Sequence, residues 1–104
     1  MIEFAEEVSA LVANRTCADL DTNREFRRAL EPCVELIGEA ATRLPEDWRA
    51  SHPEIPWRQI IALRNVLIHG YDVVVPEVLW DVATGDVPRL RRTLSVLGSE
   101  DAGQ

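Results

Sequence analysis

Apolar side chains recur along this chain at the three- and four-residue spacing of helices, and prolines and glycines at spaced positions cut the pattern into pieces. At about 100° per residue, Phe4, Ala5, Val8, Leu11 and Val12 share one arc of a first helix that starts at the N-terminus. A second helix is predicted over residues 22 to 44. Thr22 and Glu25 have the spacing of a capping box, and Phe26, Leu30, Cys33, Ile37, Ala40, Ala41 and Leu44 follow as a continuous apolar stripe, with Glu31, Glu35 and Glu39 away from it. Pro32 interrupts the hydrogen-bond ladder of that helix, at a cost of about 3 kcal/mol where nothing compensates, and predicts a kink.

Pro45, Pro53 and Pro56 predict a short helical turn near Glu46 to Ala50 and then an extended connection. Trp57 to about His69 forms the next helix, with Gly70 placed to end it. Pro76 opens another, through Val78, Leu79, Trp80 and Val82, which stops near Gly85. Asp86 then caps a last helix with Val87, Leu90, Leu94 and Leu97 on one side, and residues 98 to 104 are expected to be a disordered tail. Short connections between amphipathic helices imply an all-α, antiparallel bundle of four to five helices, a single domain over residues 1–97.

A length of 104 residues supports one core, since two halves would each bury too little surface to offset their ordering entropy. No apolar run approaches the roughly 20 residues that cross a bilayer, and the acidic start Glu3, Glu6, Glu7 is unlike a secretory leader. The expected location is therefore cytoplasmic. Cys17 and Cys33 lack metal-site spacing and read as reduced packing residues. A net charge of −7 excludes a broad nucleic-acid-binding surface, so any contact with a phosphodiester must be local. All eleven basic residues are arginine, the side chain suited to forked contacts with phosphate or carboxylate.

The helix from Trp57 to His69 departs from a simple amphipathic pattern. Apolar side chains cover more than half its circumference, so it is either central or also part of a subunit interface. Arg64 lies inside the apolar arc among Ile60, Leu67 and Ile68. There it requires a carboxylate partner such as Glu35 or Glu39, or a cleft that admits a charged ligand. Asn65 and His69, four residues apart, share a face on which the amide can orient the imidazole. Arg64 and His69 are five apart and about 140° around the helix, so they converge only through the arginine's reach, a loosened helix end, or a second copy of the helix.

The run Arg64-Asn65-Val66-Leu67-Ile68-His69-Gly70-Tyr71 resembles the Arg, four residues, His, any residue, Tyr motif of the HepT-like family, a branch of the HEPN superfamily. The resemblance extends through Ile37-Gly38-Glu39-Ala40-Ala41, His52-Pro53-Glu54-Ile55-Pro56-Trp57, Trp80 and the Asp86-Val87-Pro88 helix start, over about residues 8 to 97. It implies a homodimer whose paired motif helices form a cleft, and a metal-independent endoribonuclease acting there without cofactor. His69 would be the acid/base group, Arg64 would bind phosphate and stabilise the transition state, and Asn65 would orient His69 or substrate. The resemblance further implies a toxin paired with a minimal nucleotidyltransferase antitoxin, which transfers AMP from ATP to Tyr71. Phosphate charge and adenosine bulk beside the cleft would then repel and obstruct RNA.

Blander readings stay open. Arg64 can be a helix-packing ion pair, His69 a C-terminal histidine favoured by the helix dipole, Asn65 a solvated amide and Tyr71 a loop anchor. His52 reads as structural, and Trp48, Trp57 and Trp80 as core or interface anchors. The alternative function is a non-catalytic dimeric helical module that binds the nucleotidyltransferase.

Overall fold

The computed structural model describes residues 1–69 and 75–102, with side chains as far as Ser95. Among these residues all regular structure is helical. The elements are α1 (Ile2–Val12), α2 (Asp19–Thr22), α3 (Arg24–Thr42), α4 (Glu46–Ala50), α5 (Trp57–His69), α6 (Pro76–Asp81), a π-helical turn (Val82–Asp86) and α7 (Val87–Ala102). The all-helical class stands, but the division is finer than four to five helices, because α2 is a separate single turn and α6 runs into α7 through the π turn.

One apolar core draws on nearly every element. Ala5 and Val8 of α1 meet Leu20, the α3 stripe, Ile55, Trp57, Ile60, Leu63, Leu79, Val82, Ala83, Val87 and Leu90, and among the described residues no polar or charged side chain is buried with them. The α3 stripe is Phe26, Leu30, Cys33, Val34, Ile37, Gly38 and Ala41. It follows the predicted arc closely, with Val34 and Gly38 added and Ala40 and Leu44 only half-buried. Burying one such aliphatic side chain contributes about 1.5–3 kcal/mol, which explains why the stripe fixes the face of the helix despite Pro32. Pro32 itself is exposed and α3 is continuous through it, so water can replace the missing intrahelical bond at that point.

Three sequence expectations about boundaries need correction. The N-cap of α3 is Asn23, whose Oδ1 accepts from the Phe26 N–H at 3.1 Å, and not the Thr22–Glu25 capping box. Thr22 instead donates its hydroxyl to the Ala18 carbonyl at 3.3 Å, inside the α2 turn. Asp86 does not cap α7, and Gly85 does not stop α6. The chain turns through residues 82–86 without leaving helical conformation, so the first amides of α7 are already met by the preceding turn and a cap has nothing to satisfy. Asp86 is left with its Oδ2 buried and without a hydrogen-bond partner, and that burial pushes its carboxyl up from the ordinary range against the opposing pull of Arg89. At the other end α7 is helical to Ala102, past Leu97, because Gly98 weakens a helix by only about 1 kcal/mol and no proline follows it.

Two features set the start of α5. The Trp57 indole N–H is shared between the carbonyls of Arg49 at 3.0 Å and His52 at 3.1 Å, tying the end of α4 and the following connection to the first residue of α5. His52 stacks on Trp48 with ring centroids 4.2 Å apart, and its Nδ1 lies 2.9 Å from the Trp48 carbonyl oxygen. This is the structural role expected of it, and Trp57, buried in the core, is the expected anchor.

Candidate functional site

Arg64 reaches its position because α3 and α5 pack without a side chain between them at Gly38. A Cβ placed on Gly38 would overlap the Arg64 Cβ and lie 2.9 Å from Arg64 Cγ and 3.3 Å from the Ile60 carbonyl oxygen. Only hydrogen fits. That contact was not legible in the motif itself. Its sequence signal is a glycine in mid-stripe of a long helix, where it costs about 1 kcal/mol relative to alanine unless close packing calls for it.

With the helices this close, the next residue of α3 meets the guanidinium. Glu39 Oε2 accepts from Arg64 Nε at 3.0 Å and also from Arg64 Nη2. Glu39 Oε1 is 3.5 Å from Arg43 Nη2, one turn further along α3. The hydrogen bond from Arg64, reinforced by the nearby positive charges, outweighs partial burial and holds the Glu39 carboxyl below the ordinary range. The side chains of Arg64 and Glu39 are 24% and 33% exposed, so the pair is neither sealed in the core nor free in water. The sequence left Arg64 a choice between a carboxylate partner and a ligand cleft; it has the partner and remains open to solvent.

Asn65 is turned to the same group. Its Oδ1 accepts from Arg64 Nη1 at 2.7 Å, so the amide oxygen is directed at the arginine where the sequence suggested the imidazole or substrate. His69 is exposed and is the last residue of α5. Tyr71, the expected modification site, and Gly70, the expected helix terminator, lie outside the described residues. Arg64, Asn65 and His69 are thus carried by one helix: Arg64 sits at the seam with α3 and is joined directly to Asn65, and among the described residues no hydrogen bond brings His69 to either of them.

Other candidate chemistry falls elsewhere. Among the described residues no group of His, Cys, Asp and Glu is arranged to hold a metal ion, and no helix is long and apolar enough to cross a membrane. Cys33 is buried and Cys17 half-buried, both as free thiols. A shallow cavity of about 660 Å³ lies between α4 and the start of α5, lined by Glu46, Asp47, Arg49, Ala50, Pro53 and Trp57, and includes neither Arg64 nor His69.

A helical domain that presents arginine, asparagine and histidine on one accessible helix, the arginine backed by a glutamate from its neighbour, has the polar groups for handling a phosphodiester. Comparison with known proteins gives this class a family. The model of the family described as Ribonuclease HepT-like matches residues 1–97, and the chain belongs to that family. It is 38% identical over 90 residues to the "Probable ribonuclease HepT" of Thermococcus cleftensis, covering 86% of this chain and 79% of that one. It is 29% identical over 97 residues to "Putative RNase MJ1380" of Methanocaldococcus jannaschii, covering 93% and 89%. A 35% identity over 65 residues, 62% of this chain and 58% of the other, relates it to "Putative RNase TTE0752" of Caldanaerobacter subterraneus. No solved structure matches the chain significantly.

Proposed function

We propose that this protein is an endoribonuclease that cleaves RNA by attack of a ribose 2′-hydroxyl on the adjacent phosphate, and that it serves as the toxin of a toxin–antitoxin pair. The observation that carries the reading is Arg64 in a family of ribonucleases: a guanidinium fixed on two sides, open to solvent, on the helix that ends at the exposed His69. An imidazole can both accept and donate a proton. It can therefore take the proton from the 2′-hydroxyl or give one to the leaving 5′-oxygen, while arginine stabilises charge on the phosphorane-like transition state. Both roles are filled by side chains, so the reaction needs no metal ion, and its products carry a 2′,3′-cyclic phosphate and a 5′-hydroxyl.

The rest of the proposal follows the family resemblance. The working form is a homodimer in which two α5 helices line one cleft. Exposed Leu36 on α3 and Ile68 on α5, 42% and 44% accessible, belong to the two helices that make the Gly38 contact and supply apolar surface for such a pairing. A minimal nucleotidyltransferase antitoxin would silence the enzyme by adding AMP to Tyr71.

The test is direct. Purified protein is incubated with total RNA in the presence of chelator, beside His69→Ala and Arg64→Ala. Wild type should cut, and each variant should lose at least about 100-fold in rate, the usual order for removing an acid/base group or a transition-state donor. An unmodified wild type that cuts nothing would instead favour the non-catalytic partner-binding module.

A further inference from the structure

Arg64 has five N–H groups to place. The Nε–H and one N–H of Nη2 go to Glu39, and one N–H of Nη1 goes to Asn65, which leaves one on each terminal nitrogen. With Asn65 on the Nη1 hydrogen that faces Cδ, the two left over lie parallel at the end of the guanidinium, and a pair of that kind is what a phosphate takes. The carboxylate binds along the Nε edge with a single oxygen, so it need not be displaced for a phosphate to be received. The glycine that precedes it brings the α3 backbone against the base of the arginine side chain, which limits where the guanidinium can go.

We propose that Glu39 is a positioning residue for the RNA-cleaving reaction: it clamps the Nε edge of Arg64 from the neighbouring helix, so that the two remaining N–H groups are presented to the phosphate undergoing attack. This rests on the ribonuclease reading. The rival role is a competitor, a carboxylate that occupies the arginine until RNA removes it. The two differ in sign. A clamp accelerates the chemical step, and a competitor slows binding.

The experiment compares Glu39→Gln, Glu39→Ala and Glu39→Asp with wild type on a labelled RNA oligonucleotide that the wild type cuts, with kcat and KM measured separately. Unfolding by denaturant checks that each variant is folded. Because misplacement by about 1 Å costs on the order of 100-fold, Glu39→Ala should lower kcat by about 10- to 100-fold with a smaller change in KM. Glu39→Gln keeps an oxygen that can accept from Nε and Nη2 and should recover part of that loss. Glu39→Asp, one methylene short of α5, should not. In an Arg64→Ala background the Glu39 substitutions should have no further effect on rate, since a clamp acts only through the group it holds.

An unchanged kcat in folded Glu39→Ala, a kcat/KM that rises, or full additivity with Arg64→Ala overturns the proposal while the enzyme reading stands. A wild type that cuts no RNA overturns both. Should Glu39→Ala not fold, the near-isosteric Glu39→Gln and the double variant decide the matter on the same criteria.

Discussion

Gly38 and Glu39 are adjacent in the chain and do different work on the same arginine. The first permits approach and the second fixes direction. Gly38→Ala would improve the helix propensity of α3 by about 1 kcal/mol, but its methyl would meet the Cβ of Arg64, which sits at the root of a side chain and cannot swing away. Overpacking of this kind typically costs about 1–3 kcal/mol. A net loss of stability is therefore expected, visible as a lower denaturation midpoint, together with reduced RNA cleavage because α5 has moved relative to Glu39. A variant of unchanged midpoint would show that the helices can separate freely. The sequence already named Glu39 among the acidic candidates for Arg64, because a cation in an apolar arc demands a counter-charge or a charged ligand. It did not foresee the Asn65 amide oxygen accepting from Arg64: at adjacent positions the helix wheel argues against contact, yet the long arginine side chain makes it.

Helix boundaries were legible where the signal was local and strong. Proline at the start of α6, the proline-bounded α4 and the reach of α5 from Trp57 to His69 all agree with the chain's punctuation. The π turn was not legible, since Gly85 and Asp86 carry the same stop-and-cap signature whether the chain breaks or merely widens there; what decides is that Val82, Ala83 and Val87 are all drawn into the core, which keeps the backbone helical. Asp86 bears the consequence. Its carboxyl is raised by burial, so the folded state binds a proton more readily than the unfolded chain, and stability falls as pH rises through the folded-state value. Asp86→Asn removes the charge and keeps the shape. The variant should be the more stable near pH 7, and its advantage should shrink as the pH is lowered below the raised value, as read from urea midpoints across that interval. An Asn variant less stable near pH 7, with the deficit vanishing as the pH is lowered, would mean that the attraction of the ionised carboxylate to Arg89 outweighs burial.

The described residues form an elongated body of 47 × 27 × 18 Å, and that shape leaves apolar side chains outside. Leu36, Ile68, Val75 and Val78 are each more than a third exposed. Of these four, Ile68 is the one on α5, where the sequence read an apolar arc broad enough for either a central helix or a subunit interface. The sequence's other whole-chain inference, one core, also follows from length and composition; how two chains would meet does not, because that depends on surface geometry which no periodicity encodes. If the exposed residues form the subunit contact, Ile68→Glu should convert a dimer to a monomer in sedimentation equilibrium and lower cleavage along with it. A wild type that is monomeric at all accessible concentrations would count against the shared cleft.

The seam between α3 and α5 has a further implication. Two rods that touch backbone to side-chain root, with no room for one methyl group between them, cannot glide past each other without first coming apart. If RNA is bound there, accommodation of differently shaped strands is thereby left to torsions far out along the arginine, and the frame that carries the guanidinium stays the same whatever it is offered.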